Sequence, residues 1–518
     1  MSIVCGMIEM VIYRRGLPRG VTLIKILLVN TPLTGGPQIP IPSVAVDKGT
    51  GNMPLGLLYL AAALRTAGFA DVQVLDFLTL GVDPTQAAEM AARLHPDFLG
   101  ITVCSLSCYD LAEFTRLLRR RMPACHISLG GPHTSNYPDI LLQAGYCDSL
   151  CVGYGERAIV ELIRRLERKE KPANIPGIGV INKNNEIDIC PPDPLGDIDA
   201  IAFPDRSLVN RALYSSWLVD RPQSATALLT SRGCPFGCTF CSQSHTPHAQ
   251  RSVANVMAEV ESCLVQDFTM LYFEDDSMNL HPEWMNEFVR AMGALPQKPD
   301  WAFRGRVTNF DDDMAKACAR SGCVRINFGI ESGSEEMQRK IGKGIKLGDA
   351  LTALRATKNA GIATVCYFIM GFPEETEAQM RQTFDFARRL DADYAIFSPL
   401  YLFPGTELYR REKQKRGPDY DPYADYTRKP TADFVPPTPR GMVAQQMISR
   451  LVRLAYLRFY FSPHYLFSGK GLAGGFWRGV KGGLSLLAYL LCGPKKLIGR
   501  RKTKDIINGI ELRFGGIL

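Results

Sequence analysis

The hydrophobic pattern of this chain changes period in a regular way. "LIKILLVN" (23–30) is a short, continuous apolar run of the kind that forms a buried strand. In "PLGLLYLAAALRTAGF" (54–69) the apolar residues recur at helical spacing, with Pro54 suited to a first turn and Gly68 to a C-terminal stop. The alternation then repeats. "VQVLDF", "FLGITVC", "HISLGG" and "SLCVG" read as strands, separated or followed by the helical "TQAAEMAARLH", "YDLAEFTRLLRRR", "YPDILLQAG" and "GERAIVELIRRLER". Five strands alternating with helices predict a doubly wound, Rossmann-like α/β domain over 21–171, with ligands at the carboxyl ends of its strands. Residues 1–20 match no element and are expected to form a disordered extension.

Residues 172–222 break the rhythm. "GIGVINKNNEIDICP" is a hairpin with "NKNN" as its turn, and the proline- and acid-rich "PPDPLGDIDAIAFPDR" reads as a linker. A second series begins at "TALLTS" (226–231) and continues through "TMLYFED", "WAFRGR", "VRINFGIE", "ATVCYFIMG" and "DYAIFSPL", with helical stretches between. Six such units over 223–410 predict a partial (β/α)6, TIM-like barrel whose functional end lies at the strand C-termini. Residues 411–518 are expected to be mainly helical and to cap the substrate pocket; their aromatic "LRFYFSPHYLF" hints at a hydrophobic substrate.

Composition narrows the classes. A net charge of +8 on 518 residues lacks the dense basic face of a nucleic-acid binder. The 15 cysteines are scattered singly except around 234–241, and Glu9 interrupts the N-terminal apolar stretch, so neither a disulfide framework nor a secretory signal is expected and the cytoplasm is the expected compartment. No run of 18 uncharged apolar residues exists to span a membrane. "LSLLAYLLC" (484–492), flanked by Lys481, Lys495, Lys496, Arg500 and Arg501, reads as a buried helix with a basic end or as a peripheral membrane contact.

The candidate chemistry lies in "SRGCPFGCTFCSQ" (231–243), directly after the first strand of the second series. Cys234, Cys238 and Cys241 are separated by three and then two residues, and Gly233 and Gly237 permit a tight path that lets the sulfurs converge. Two sites suit them. One is zinc with a distant fourth ligand such as His245 or His248. The other is a four-iron cluster with one iron left open for a small molecule.

Cys234-x3-Cys238-x-Phe240-Cys241 resembles the signature of the radical S-adenosylmethionine superfamily. The resemblance implies a [4Fe-4S] cluster on the three cysteines, S-adenosylmethionine on the open iron, and Phe240 beside the adenine. It extends to later strand ends. "YFEDDSMN", with Glu274, Asp275 and Asp276, resembles the motif that holds the methionine ammonium, although three acids also suit a solvated helix cap. Glu331 in "FGIESG" matches a residue contacting the ribose or methionine end, and Gly371–Pro373 in "MGFPEET" resembles the adenine-binding Gly-x-Pro. Arg304 is either a carboxylate partner for the cofactor or half of a structural ion pair.

In the first domain, "MPLGLLYLAAALR" (53–65), "GGPH" (130–133) and "GYGE" (153–156) resemble the cobalamin-binding domain of the B12-dependent radical class. This implies cobalamin contacts at Ser105, Ser107, Gly130, Gly131, Gly153 and Glu156. The Asp-x-His-x-x-Gly motif of other cobalamin enzymes is missing, so the lower axial ligand is unassigned; His133 is either that ligand or a packed or phosphate-facing ring. Cys104 and Cys108 read as core or loop residues, and no second four-cysteine cluster suggests a methylthiotransferase or an auxiliary-cluster maturase.

The expected activity is methylation of an unactivated carbon in a small molecule. One S-adenosylmethionine supplies the methyl through cobalamin, and a second yields the 5′-deoxyadenosyl radical that activates the substrate. An external electron donor of flavodoxin or ferredoxin type is implied. The alternatives are a radical cyclase or rearrangement enzyme acting on a tetrapyrrole or lipid, and a non-catalytic cobalamin sensor.

Overall fold

The computed structural model describes residues 24–35, 53–216, 223–462 and 465; the extension at 1–20 and the basic apolar segment at 484–492 lie outside them. The first sheet contains β1 (Ile26–Asn30), β2 (Val72–Leu75), β3 (Phe98–Thr102), β4 (His126–Gly130), β5 (Ser149–Cys151), β6 (Ile178–Ile181) and β7 (Ile187–Ile189). Their order is β2-β1-β3-β4-β5-β6-β7. The first five are parallel, as expected of a doubly wound sheet, with the strand order reversing between β1 and β3. The expected hairpin is β6–β7. It pairs antiparallel with β5 and so extends the first sheet instead of standing free.

The second sheet runs β16-β15-β14-β13-β12-β9-β8. Its members are β8 (Ser215–Ser216), β9 (Gln223–Leu228), β12 (Met270–Phe273), β13 (Asp300–Gly305), β14 (Cys323–Glu331), β15 (Ala363–Met370) and β16 (Tyr394–Pro399). All six expected strands form and pair in parallel, and β8 adds an antiparallel edge to β9. A two-stranded ribbon of β10 (Ser231–Arg232) and β11 (Ala249–Gln250) opens and closes the cysteine loop. Two residues per strand carry no periodicity, so the sequence pattern does not reveal it.

One face of the second sheet is apolar. Phe273, Trp301, Phe303, Phe328 and Phe368 are buried there under the crossover helices. Alternate residues point the other way, because side-chain direction in a strand has period two. The inward set is smaller and more polar: Ala225, Met270 and Ala302 share it with Arg304, Arg325, Asn327 and Tyr367. Arg325 lies over the Tyr272 ring at 5.2 Å, and Asn327 donates to the Tyr367 hydroxyl at 3.4 Å.

The segment between the sheets is anchored by a buried charge triad. Glu259 receives Arg206 at 2.6 Å on one oxygen and Arg251 at 2.5 Å on the other. The two guanidiniums also donate to the carbonyls of Ala227 and Leu229, both at 2.7 Å, and so fix the end of β9 where the cysteine loop begins.

The C-terminal helices have separate tasks. Helix Gln445–Tyr460 covers the edge strand β16, which would otherwise present an open row of backbone groups. The Tyr456 hydroxyl accepts from Phe397 N, and the Tyr460 hydroxyl bonds both Ala395 N and Ala395 O, each at 3.0 Å. Helix Pro422–Arg428 instead docks on the first domain, where the Tyr426 hydroxyl accepts from Tyr109 N at 3.1 Å. No helix among the described residues is long and apolar enough to cross a membrane.

Candidate active site

The cysteine loop leaves β9 at the carboxyl end of the second sheet. Gly233 has φ +75°, and a Cβ there would stand 1.9 Å from the Pro247 carbonyl oxygen; one on Gly237 would meet the His245 ring at 2.7 Å. Gly233 is therefore obligatory for the loop to close on itself, while a side chain at Gly237 would displace the His245 ring. Cys234 N donates to the Thr246 hydroxyl at 2.8 Å and Cys241 N to Cys238 O at 3.1 Å, which holds the three thiols on one tight path. No three His, Cys, Asp or Glu side chains among the described residues converge as ligands of a single ion do. His245 is packed against Gly237 and His248 against His281. The spacing of the three thiols is compatible with a cluster, in which each cysteine binds a different iron.

Two cations outside the expected set face this loop. Lys343 forms an ion pair with Glu331 at 2.9 Å, and the Arg306 guanidinium sits 3.7 Å above the Phe236 ring. Burial holds the Cys238 thiol above its ordinary value, and the charges of Lys343 and Arg306 offset part of that rise. Both cations favour the thiolates that iron requires. Glu331 itself has φ +69°, a strained conformation for a non-glycine residue, at the point where the β14–β15 register shifts.

The structure separates the three consecutive acids. Asp275 is buried and accepts from Thr230 N at 3.0 Å, Thr230 Oγ1 at 2.9 Å and Ser231 Oγ at 2.5 Å. It ties the end of β12 to the start of the cysteine loop and is not free to receive an ammonium group. Glu274 pairs with Arg304. Asp276 stays exposed, within electrostatic reach of Cys241 and of Tyr154 in the first domain.

Phe240 and the Gly371–Pro373 segment come together as expected: the Phe240 and Phe372 rings meet edge to face at 5.7 Å. Gly371 has φ +94°, with Ile448 2.7 Å from where a Cβ would stand. Glu375, absent from the expected set, holds this turn by accepting from Gly371 N at 2.7 Å and Phe372 N at 3.2 Å; burial pushes its carboxyl up to about 7.

On the cobalamin side the expected residues divide. Gly130 faces open space at the end of β4, with no atom within 4 Å of a Cβ placed there. Gly131 (φ +105°) is required by the Val103 carbonyl 2.8 Å away, and Gly153 (φ +82°) packs on Pro192. Ser107 is buried and closes its own turn through Cys104, donating to its carbonyl at 2.9 Å, which turns it away from a ligand. Glu156 is also committed elsewhere. It binds Arg232 of the cysteine loop at 2.5 Å, and the guanidinium lies over the rings of Tyr154 (4.5 Å) and Tyr59 (5.4 Å).

His133 is fully buried with both ring nitrogens occupied, Nδ1 by Ser105 Oγ at 3.1 Å and Nε2 by Thr427 Oγ1 at 2.9 Å. It is a packed histidine bridging the first domain to helix Pro422–Arg428. Of the predicted contacts, Ser105 is therefore held by this ring.

Comparison with known proteins agrees with this geometry. The profile described as Radical SAM superfamily matches residues 228–387, and the B12 binding domain profile matches residues 44–163. The "Uncharacterized methyltransferase PH0819" of Pyrococcus horikoshii is 30% identical over 452 residues, covering 86% of this chain and 94% of that protein. This chain belongs to the cobalamin-dependent radical S-adenosylmethionine enzymes. The anaerobic magnesium-protoporphyrin IX monomethyl ester cyclase of Cereibacter sphaeroides is 26% identical over 81% of this chain and 69% of its own length. The radical S-adenosylmethionine methyltransferase TsrM from Kitasatospora setae, solved with cobalamin and a [4Fe-4S] cluster, shares the fold at a TM-score of 0.61 and 22% identity, over 76% of this chain and 75% of that one.

A member of this family is an enzyme whose cofactors are a [4Fe-4S] cluster, S-adenosylmethionine and cobalamin. The residues present fit them. The thiol loop with Lys343 and Arg306 beside it suits an anionic thiolate cluster, and the open edge at Gly130, near the strand-order reversal, suits a large flat ring. Lys343 left one signal in the sequence: it stands between Gly342 and Gly344, both at positive φ, as a lysine carried on a tight turn. Arg232 and Arg306 left none, since their partners lie far away along the chain.

The buried His133 gives this radical enzyme a pH dependence. Burial pushes its ring from 6.5 down to about 4. Above pH 6.5 the ring is neutral in folded and unfolded chains alike, so its contribution to stability is intact. Between pH 6.5 and about 4 only the unfolded chain gains the proton, and stability falls. The denaturation midpoint is expected to drop between pH 7 and pH 5, and to drop less in His133→Gln; equal drops would show that another group governs it.

Proposed function

We propose that this protein methylates an unactivated carbon of a small molecule. The observation that carries the reading is the ion pair between Glu156 and Arg232. It joins the loop after β5, on the cobalamin side, to the residue two before Cys234, so both cofactors would open onto one cavity. When bound, the cluster cleaves S-adenosylmethionine to a radical and cobalamin carries the methyl group.

The chain's own residues orient and exclude. Cys234, Cys238 and Cys241 hold the cluster, with Lys343 and Arg306 balancing its charge. Phe240 and the Gly371–Pro373 turn flank the adenine. Glu331, Glu274, Asp276 and Arg304 would hold the methionine and ribose, with Arg304, now paired with Glu274, as the cation available to the cofactor carboxylate. Ser105, Gly130, Gly131 and Gly153 line the cobalamin crevice. The inward wall of Arg304, Arg325, Asn327 and Tyr367 suits a substrate that carries polar groups beside the hydrophobic surface to which the C-terminal aromatics point.

The name of PH0819 supports methyl transfer, while the cyclase relatives keep ring closure as a second reading. Incubation with S-adenosylmethionine carrying a deuterated methyl group separates them. Label in a product supports this reading; 5′-deoxyadenosine formed with an unlabelled, altered product supports cyclisation.

A further inference from the structure

We propose that the outer face of helix Gln445–Tyr460, together with the basic segment that follows it, docks this protein on an anionic lipid bilayer.

The helix has two different faces. Ile448, Val452, Ala455, Tyr456 and Phe459 are buried against the second domain. Arg450, Arg453, Leu457 and Phe461 follow one another at steps of three, four and four residues, which places them in one stripe on the other side. Arg450, Leu457 and Phe461 are exposed, and Arg453 is partly so. The helix itself, "QQMISRLVRLAYLRFY", contains no acid. Asp385, on the neighbouring helix Glu377–Leu390, pairs with Arg458 at 3.8 Å on the flank of the stripe. Arg450 and Arg453 have no ion-pair partner among the described residues. The stripe thus offers cations and large apolar side chains together.

The chain beyond the helix points to what covers this stripe. Residues 466–518 carry ten Lys and Arg against Asp505 and Glu511, while residues 1–465 hold cations and anions in equal number. The whole net charge of +8 therefore lies in this last segment. Phe476, Trp477 and "LSLLAYLLC" (484–492) are interleaved with its cations. Like charges disfavour this segment, or the same face of a second copy, as the cover of the stripe. An anionic bilayer satisfies both features: its surface potential attracts the cations, and its headgroup region takes up Leu457, Phe461 and Trp477. A nucleic acid would match the charge but leave the apolar side chains in water. The longest uncharged run of the segment, 482–494, has 13 residues, short of the ~20 that a spanning helix needs, so the contact is peripheral.

The test is sedimentation of the full chain with two kinds of vesicle, phosphatidylcholine alone and phosphatidylcholine with phosphatidylglycerol at about 2:1. The expected result is binding to the anionic vesicles only, weakened several-fold as salt rises from about 0.1 to 0.5 M. R450E/R453E is expected to lower the partition coefficient about 10-fold or more, and K495E/K496E/R500E/R501E to lower it further. L457S/F461S is expected to weaken binding at low and high salt alike, because its loss is apolar. Each variant should keep the wild-type thermal unfolding, which separates loss of docking from loss of fold. Equal binding to both kinds of vesicle, binding to neither, or wild-type binding by R450E/R453E would overturn the proposal. Capture of a single-stranded RNA oligonucleotide in preference to the anionic vesicles would also overturn it and assign the basic segment to nucleic acid.

Discussion

Cys241→Ala is expected to abolish reductive cleavage of S-adenosylmethionine, a loss of roughly three orders of magnitude or more, equivalent to about 4 kcal/mol or more of transition-state stabilisation. The reason lies in the donor set. The loop offers three thiols and no neighbouring substitute, since His245 is packed on Gly237 and no other ligand group among the described residues converges there. Two cysteines leave two irons without protein ligands, so iron content falls along with activity. The fold loses little, because the Cys241 sulfur accepts one long contact, from Gln243 N at 3.4 Å. The variant should therefore keep the thermal unfolding and the cobalamin content of wild type while failing to hold about four irons. Retained iron and cleavage would contradict the assignment of this cysteine.

Glu259→Gln is expected to cost about 3–5 kcal/mol of stability, read as a lower denaturant midpoint for unfolding of the second domain. Glu259 and Arg206 are almost wholly buried and Arg251 nearly so, and one carboxylate is the ion-pair partner of both guanidiniums. A neutral amide keeps the shape and removes the charge, which leaves two cations without compensation in the interior. The damage should reach the site, because these guanidiniums bind the carbonyls of Ala227 and Leu229 just before the cysteine loop. Replacing the whole triad by Arg206→Met, Glu259→Leu and Arg251→Met should recover most of the stability, since no buried charge then remains. A Glu259→Gln midpoint equal to wild type would show that water or relaxation already screens the pair.

The architecture was legible because its signals are local. Each strand of the second series is a short apolar run, and the register follows once the runs pair in parallel. Boundaries shifted where a side chain intervened: "FLGITVC" ends as a strand at Thr102, because Ser107 closes the turn that starts at Cys104. The site was legible where a motif sits on one strand end, as with the cysteines, Phe240 and Gly371–Pro373. It was not where function depends on partners distant along the chain. Three adjacent acids look alike in sequence, yet Asp275 is claimed by Thr230 and Ser231, and Glu274 by Arg304. Glu156 fits the cobalamin resemblance, but its carboxylate belongs to Arg232, 76 residues away. Lys343 and Arg306 come to face the cysteine loop only once the second sheet has assembled.

The central claim is that one chain uses S-adenosylmethionine in two ways, for methyl transfer through cobalamin and for radical formation at the cluster. The direct measurement is the product pair released by the anaerobically reconstituted protein with reductant, S-adenosylmethionine and cobalamin. This account predicts both S-adenosylhomocysteine and 5′-deoxyadenosine, with omission of cobalamin removing the first and Cys241→Ala removing the second. 5′-Deoxyadenosine formed with no S-adenosylhomocysteine, whether or not cobalamin is present, would contradict it.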